Sequence, residues 1–334
     1  MQNNNNLKNK KIFILGGAGY VGAELVKSLL EAGYSVTVFD LFIYGEDVIQ
    51  NHPNLTTIKG DMRDLSLLNE SIKGCTDVIH LACISNDPSF ELDSNLGKSI
   101  NYDCFEPFIE ICLKNKIQSF IYASSSSVYG IKKEKNVTEE MKLEPLTDYS
   151  YYKAKCENIL QNYSNDNFIT TILRPATVCG YSKRQRLDVI VNILTNHAYN
   201  NKKIKIFGGS QLRPNIHIKD MVRCYISILN TPNSIKSGKI FNAGYQNQSL
   251  NEIAQTVKNC FIEKIEIETV TTDDNRSYHI SSEKIKREIG FNTIYGIEDA
   301  AKDLINAFEN KLLINPLNNS KYYNIKKMQE INLS

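Results

Sequence analysis

The sequence has no long apolar run and no marked excess of charge of one sign. None of its apolar stretches reaches the roughly 18 residues of a membrane-spanning helix, so we expect no membrane partner. The formal net charge of +2 is too near balance to suggest nucleic acid as a partner. Residues 1–8 are polar and lead directly into a strand pattern. We interpret them as a solvated tail and expect no signal peptide and a cytoplasmic location.

The cysteines also lack a recognisable pattern. The chain has eight, none of them in a C-x-x-C pair, and most lie in apolar stretches. This spacing fits neither a metal site nor a disulfide framework. We therefore predict no bound metal and interpret the cysteines as small buried thiols in a reducing compartment.

The first half of the chain alternates short apolar runs with helical patterns. The runs at 11–17, 35–40, 55–61, 77–82 and 119–125 predict strands, and the periodicity over 21–33, 65–73 and 101–116 predicts helices. Such alternation is typical of right-handed crossovers in a parallel sheet that is covered on both faces. We therefore predict an α/β fold with a Rossmann-type, doubly wound parallel sheet.

The pattern changes after residue 175, where turns and basic residues become frequent. Another buried strand is predicted at KIFNAG (239–244), and a short one at KIEIETV (264–270), within a mainly helical last part. We predict a smaller mixed α/β lobe that is built from C-terminal pieces. The expected division is a nucleotide-binding domain of residues 9–176 plus about 217–246, and a substrate lobe of about 177–216 plus 247–325.

A glycine-rich turn follows the first strand and opens the first helix. Its sequence, GGAGYVG (16–22), fits two glycine templates for dinucleotide binding. Glycines let the backbone approach a pyrophosphate, and the free amides of the helix N-terminus receive its charge. Asp40, at the end of the second strand, can accept hydrogen bonds from both adenosine ribose hydroxyls and would repel a 2′-phosphate, which favours NAD over NADP. The predicted contacts are Gly16, Gly19, Tyr20, Val21, Gly22, Asp40 and, at the adenine edge, Asp61 and Met62.

Two overlapping copies of the pattern Tyr-x-x-x-Lys occur in residues 147–157, TDYSYYKAKCE. Tyr149 pairs with Lys153, and Tyr151 pairs with Lys155. Residues four apart share a face of a helix, so either tyrosine could lie beside its lysine and exchange protons. The pattern alone leaves both pairs open.

The chain resembles the extended short-chain dehydrogenase/reductase family, the NAD-dependent sugar-nucleotide epimerases and dehydratases. The similarity runs from about residue 11 to about 310 and includes the glycine turn and the Tyr/Lys helix. Its other motifs are HLA (80–82), SSSSVYG (124–130), LRPATVCG (173–180), QLRPNIHIKD (211–220) and FNAG (241–244). The resemblance implies that NAD also contacts Leu81, Ala82, Tyr149, Lys153 and Pro175. It further implies a sugar nucleotide in the C-terminal lobe and a homodimer formed through helices 101–116 and 149–163.

The family pattern favours the first Tyr/Lys pair. The catalytic serine lies three residues before the valine of VYG, which is Ser125 here, and Tyr149 follows at the family's distance. Lys153 is followed by Glu157 four residues later, another family feature. The resemblance assigns Tyr149 as the base that takes a proton from a sugar hydroxyl, with Lys153 favouring its ionised form.

The residues before VYG narrow the reaction. Dehydratases of the family carry Asp-Glu at the positions of Ser126 and Ser127, so dehydration is disfavoured here. Oxidation at C4 to a 4-keto sugar remains, by a 4-epimerase or a 4-dehydrogenase. A 4,6-dehydratase and a 4-keto reductase are the alternatives, and a catalytically silent NAD-binding regulator is the non-enzyme alternative. The loop at 174–192 resembles GDP-heptose 4-dehydrogenase-type enzymes of bacterial capsule and lipopolysaccharide pathways.

The substrate lobe should offer arginines to a diphosphate. The predicted substrate contacts are Ser127, Thr177, Asn192, Arg213 and Arg276. For Arg184 and Arg186 we favour a solvated basic turn, and for His80 and His217 a structural role.

Overall fold

The strands form one large sheet and two small ones. The computed structural model describes residues 10–272 and 277–333, so the predicted tail at 1–8 and Arg276 lie outside the described residues. The strands are β1 (Lys11–Leu15), β2 (Ser35–Asp40), β3 (Leu55–Lys59), β4 (Asp77–His80), β5 (Ser119–Ala123), β6 (Ile169–Pro175), β7 (Thr177–Cys179), β8 (Lys203–Phe207), β9 (Leu212–His217), β10 (Lys239–Ala243), β11 (Gln246–Ser249) and β12 (Glu266–Val270).

Helices cover both faces of the large sheet and build most of the lobe. They are α1 (Tyr20–Glu31), α2 (Leu65–Ser71), α3 (Asp87–Phe90), α4 (Ser94–Lys98), α5 (Phe105–Lys114), α6 (Asp148–Tyr163), α7 (Ile190–Asn201), α8 (Ile218–Asn230), α9 (Asn233–Lys236), α10 (Leu250–Asn259), α11 (Glu283–Ile289), α12 (Ile297–Glu309) and α13 (Asn324–Ile331). A π-helical turn, Ser99–Asp103, precedes α5, and short 3₁₀ turns occur at Glu46–Val48, Ser126–Tyr129 and Ser320–Tyr322.

The large sheet is parallel and has the strand order β3-β2-β1-β4-β5-β6-β10. The chain proceeds outward from β1 to β3 and then returns to β4 on the other side of β1. This reversal of direction opens a crevice at the carboxyl ends of β1 and β4, the place where open α/β sheets bind nucleotides. The predicted Rossmann-type fold is confirmed.

The lobe has its own apolar core. Helices α7, α10 and α12 pack together through buried side chains such as Leu194, Ile253 and Ala301, against the two-stranded sheet of β8 and β12. A three-stranded sheet, β11-β9-β7, connects this core to the crevice. Because β10 joins the large sheet and α8 packs on α1, we propose the two-part division predicted from the sequence.

One predicted helix is interrupted. The periodicity over 101–116 predicts a single helix, but the chain forms the π-helical turn and then begins again at Phe105. Pro107 accounts for the new start, since proline has no amide hydrogen and is tolerated in a first turn, where amides have no intrahelical acceptor. Across the described ranges, no helix is long and apolar enough to span a membrane.

Candidate active site

The glycine turn lies between the ends of β1 and β4. Gly16 has a φ of +88°, and a Cβ there would lie 2.5 Å from the amide nitrogen of Ala82. A Cβ on Gly22 would lie 2.5 Å from the carbonyl oxygen of Gly16. Only glycines therefore allow this packing, which leaves the N-terminus of α1 open to the crevice. A pyrophosphate fits such a cradle of backbone amides.

Asp40 anchors the turn from the neighbouring strand. Its Oδ2 accepts a hydrogen bond from the amide of Ala18 at 2.9 Å, and its Oδ1 accepts one from the amide of Phe42 at 2.8 Å. Burial raises the pKa of Asp40, while these two amides and the charge of Arg184 act in the opposite direction. A carboxylate held in this position can still accept hydrogen bonds from ribose hydroxyls.

A cavity of about 580 Å³ extends from this turn into the cleft between the domain and the lobe. Every residue predicted to bind the cofactor lines it. These are Gly16, Gly19, Tyr20, Val21, Gly22, Asp40, Asp61, Met62, Leu81, Ala82, Tyr149, Lys153 and Pro175. The cavity therefore fits a dinucleotide that reaches from the end of β3 to the start of α6.

Helix α6 presents Tyr149 and Lys153 to the cavity. Thr147 caps the helix in a capping box with Ser150, which fixes the first turn that carries Tyr149. The Lys153 Nζ donates to the carbonyl oxygen of Ala123 at 2.7 Å and lies 5.9 Å from the centre of the Tyr149 ring.

The second Tyr/Lys pair lies on the outer side of the same helix. Tyr151 is 45% exposed, and the Lys155 Nζ lies 5.3 Å from the centre of its ring. Only the pair of Tyr149 and Lys153 can therefore reach a ligand in the cavity.

The serines that follow β5 face Tyr149. The hydroxyl oxygens of Ser125 and Ser127 are 2.8 Å apart, and the Ser127 amide donates to the Ser125 Oγ at 3.1 Å. Burial raises the pKa of Tyr149 well above its ordinary value, and Cys83 and Asp87 add to this. The charge of Arg186 and a hydrogen bond with Ser125 act to lower that pKa.

Three predicted substrate contacts line the cleft, and a fourth lies beneath it. Ser127, Thr177 and Arg213 line the main cavity, and Arg213 also lines an adjoining cavity of about 440 Å³ in the lobe. Asn192 is fully buried instead, and its amide is bound to Gly180, to the Tyr20 hydroxyl and to the carbonyl oxygen of Arg186. The structure thus gives Asn192 a structural place under the loop and does not bring it to a substrate.

The prediction of a solvated basic turn for Arg184 and Arg186 is wrong. Arg184 is 4% exposed, and its guanidinium carbon lies 3.5 Å from the centre of the Tyr44 ring. The Arg186 side chain is 12% exposed, and its Nε donates to the Asp188 Oδ1 at 2.6 Å. Its buried Nη2 has no hydrogen-bond partner among residues 10–272 and 277–333. Both arginines line the main cavity.

Three further residues of the cavity wall were missed from the sequence. Tyr44 and Ser85 follow β2 and β4, and Asn324 begins α13. The loops that follow strands at a topological switch point could have indicated the first two. Asn324 lies beyond the region of family resemblance, and no local motif marks it.

The crevice, the glycine turn and the Ser125, Tyr149 and Lys153 side chains are those of an extended short-chain dehydrogenase/reductase. The family model described as "NAD dependent epimerase/dehydratase family" matches residues 12–244. The chain belongs to this family and is an NAD-dependent enzyme of the sugar-nucleotide epimerase/dehydratase type.

The chain is also similar to curated proteins. The chain is 32% identical over 273 residues to an ADP-L-glycero-D-manno-heptose-6-epimerase of Brachyspira hyodysenteriae, which covers 75% of this chain and 81% of that protein. It is 30% identical over 237 residues to an uncharacterised protein of Sinorhizobium fredii, a match that covers 70% of this chain and 56% of that protein.

Solved structures share the fold. A UDP-glucuronic acid 4-epimerase from Bacillus cereus, solved with UDP-glucuronic acid and NAD, superposes with a TM-score of 0.82 at 24% identity. The superposition covers 90% of this chain and 99% of that one. At this identity the likeness shows the fold alone.

Proposed function

We propose that the protein oxidises C4 of a nucleotide-activated sugar to a 4-keto sugar, as a 4-epimerase or a 4-dehydrogenase. The observation that carries this proposal is the juxtaposition of Ser125, Tyr149 and Lys153 in the main cavity, with serines at 126 and 127 where dehydratases carry carboxylates. NAD, when bound, supplies the hydride acceptor.

The side chains then have distinct tasks. The Tyr149 phenolate takes the proton of the sugar hydroxyl as hydride leaves the same carbon. Ser125 and Ser127 hold that oxygen by hydrogen bonds. The Lys153 ammonium would bind the nicotinamide ribose and favour the phenolate.

The carboxylates of the cavity wall are committed to other partners. Asp188 binds Arg186 and the amide of Asn324, and Asp87 accepts a hydrogen bond from Thr147 at 2.6 Å. This arrangement supports oxidation without loss of water and disfavours a 4,6-dehydratase.

We propose that the diphosphate and the base of the sugar nucleotide bind in the lobe. Arg213 lies at the junction of the two cavities and can bind a diphosphate. We propose that the base enters the adjoining cavity between Ile193, His197 and Phe207. The loop resemblance favours GDP-heptose as the substrate and bacterial surface-polysaccharide synthesis as the pathway. The heptose epimerase among the relatives supports a heptose.

The test is a panel of GDP-, UDP- and dTDP-sugars, followed by the absorbance of NADH and by NMR of the products. Inversion at C4 without NADH identifies an epimerase, and a 4-keto product with NADH identifies a dehydrogenase. A 4-keto-6-deoxy product would overturn the assignment of Ser126 and Ser127.

The matched variants are Tyr149→Phe and Tyr151→Phe. Tyr149→Phe should lower turnover by roughly 10²–10⁴-fold, and Tyr151→Phe should leave it unchanged. Unchanged turnover in Tyr149→Phe would contradict the mechanism, and no turnover of any sugar by the unsubstituted protein would favour a silent NAD-binding regulator.

A homodimer through α5 and α6 is a further proposal from the family resemblance, as is a cytoplasmic location. Leu113 on α5 and Tyr151 on α6 are exposed and apolar, as such an interface requires. Light scattering coupled to gel filtration distinguishes a dimer from a monomer.

A further inference from the structure

The C-terminal helix forms part of the wall of the cofactor cavity. The chain leaves the lobe after α12 and returns to the nucleotide-binding domain, where α13 packs against α3. Asn324, Met328 and Leu333 line the main cavity. None of these residues belongs to the set that the chemistry requires, so their position needs another reason.

Asn324 connects this helix to both halves of the molecule. Its Oδ1 accepts hydrogen bonds from the Arg184 Nη2 at 2.6 Å and from the Tyr44 hydroxyl at 3.0 Å. Its Nδ2 donates to the Ser85 Oγ at 2.9 Å, and its backbone amide donates to the Asp188 Oδ2 at 2.8 Å. The residue is 4% exposed, so these bonds are shielded from water.

The bonded loops lie on opposite sides of the glycine turn. Tyr44 follows β2, beyond Asp40, and Ser85 follows β4, beyond Ala82. Strand β1 lies between β2 and β4 in the sheet. Asn324 therefore bridges the crevice above the turn, at the place where the adenosine half of NAD is proposed to bind.

Apolar packing holds the next turn of the same helix in place. Met328 is 8% exposed and belongs to the same buried cluster as Met62 and Ile84, which also line the cavity. The helix thus covers the crevice with a polar anchor at its start and an apolar contact one turn later.

We propose that Asn324 is a positioning residue that fastens α13 across the crevice and so keeps NAD bound between turnovers. This inference rests on the proposed use of the crevice by NAD. If the cofactor stays in place, the hydride taken from the sugar, together with a proton, must leave on a carbonyl compound that enters the same cleft. That acceptor is either the 4-keto sugar itself or a second keto substrate.

The experiment measures the exchange of bound NAD against isotopically labelled NAD, with no sugar present. Asn324→Ala should exchange NAD roughly tenfold faster or more, since several buried hydrogen bonds are lost. Asn324→Asp should restore slow exchange, because a carboxylate accepts from Arg184 and Tyr44 and the Ser85 hydroxyl can donate to it. Gln329→Ala, on the exposed side of α13, is the control and should behave as the unsubstituted protein.

A second measurement distinguishes the loss of the α13 anchor from a general loss of folding. Amide hydrogen exchange over residues 324–333 should slow when NAD binds, and this slowing should be lost in Asn324→Ala. At saturating NAD, the turnover of Asn324→Ala should stay within about threefold of that of the unsubstituted protein. A damaged active site would instead lower turnover at all NAD concentrations. If Asn324→Ala does not fold, Tyr44→Phe removes one bond and should give a smaller acceleration of exchange.

The proposal is overturned if Asn324→Ala and Tyr44→Phe exchange NAD at the unsubstituted rate. It is also overturned if the unsubstituted protein exchanges NAD faster than it turns over sugar. A third outcome is that no sugar nucleotide of the panel is turned over, but NAD exchange is slow and depends on Asn324. This outcome would contradict only the proposed reaction.

Discussion

Glu157 and Arg174 form a bidentate ion pair inside the protein. The Arg174 Nε lies 3.0 Å from the Glu157 Oε1, and the Nη2 lies 2.6 Å from the Oε2. Both side chains are at most 3% exposed. Ser124, next to the proposed catalytic Ser125, also donates to Glu157, and Arg174 donates to the Tyr129 hydroxyl at 2.7 Å. The pair therefore fixes α6 on β6 directly behind the proposed chemistry.

Glu157→Gln should destabilise the protein strongly. The substitution leaves the Arg174 charge buried without its counter-ion, and breaking such a pair costs about 3–5 kcal/mol of unfolding free energy. Urea unfolding measures the change. Lys73→Ala, which removes the exposed ion pair with Glu70, should leave stability unchanged. Equal stability of the two variants would show that the pair does not hold the helix.

Gly16→Ala and Gly33→Ala compare two glycines with the same φ of +88°. At Gly33, no heavy atom of the described ranges outside the two neighbouring residues lies within 4 Å of an added Cβ. We expect Gly33→Ala to cost about 1 kcal/mol of stability from backbone strain alone and to bind NAD normally. Gly16→Ala adds the contact with Ala82 and should bind NAD at least about tenfold more weakly. Equal NAD affinity of the two variants, measured by titration, would refute the packing argument.

Asp40→Asn should weaken NAD binding and relax the choice between cofactors. The neutral amide loses a charged acceptor for ribose hydroxyls, which is worth about 1.5–3 kcal/mol. It also loses the repulsion of a 2′-phosphate, so affinity for NADP should fall less or rise. Titrations with both dinucleotides measure the ratio, with the exposed Asp47→Asn as control. A parallel loss for NAD and NADP would contradict the assigned role.

Arg186→Gln should move the acidic limb of the turnover–pH profile to higher pH. Burial raises the pKa of Tyr149, and the Arg186 charge lowers it, so removal of the charge raises it further. Less phenolate is then present at neutral pH, and turnover should fall there and recover as the pH rises. Lys183→Gln, on the same loop, should not shift the profile. A lower rate at every pH with an unmoved limb would mean that Arg186 does not act through Tyr149.

His80 should make the protein sensitive to acid. Burial among aromatic rings and, to a smaller extent, the charge of Lys153 together lower the pKa of His80 to about 3. Because the unfolded chain binds this proton near pH 6.5, stability is complete above that pH and falls as the pH drops toward 3. The slope is up to about 1.4 kcal/mol per pH unit.

His80→Phe should remove this part of the dependence of stability on pH. The control His52→Phe, at an exposed position, should retain it. Urea unfolding at several pH values between neutrality and pH 4 measures both slopes. An unchanged slope in His80→Phe would mean that other groups titrate instead.

The sequence predicted those parts of the fold and site that depend on local patterns. The strands of the first half, the glycine turn and Asp40 all follow from the order of residues within a short segment. The register of Tyr149 followed from the family spacing to Ser125. Tyr149 lies on the wall of the cavity because α6 turns the face that carries Tyr149 toward the end of β5.

The environment of the arginine loop could not be predicted in this way. Arg184 is buried because Asn324, 140 residues further along the chain, lies against it. Asn192 is used for packing since Tyr20 and Gly180 surround its amide. Periodicity describes the faces of one segment and contains no information on which distant segment covers them.

The edge strand β10 has a consequence for biosynthesis. It pairs with β6 only after the chain has passed through β7, β8 and β9. Until residue 243 has left the ribosome, β6 presents an unpaired row of amides and carbonyls, a surface that invites intermolecular strand pairing. The nucleotide-binding domain therefore cannot complete its sheet before much of the lobe has been synthesised. A fragment that ends at residue 176 would be a source of aggregation and not a minimal cofactor-binding unit.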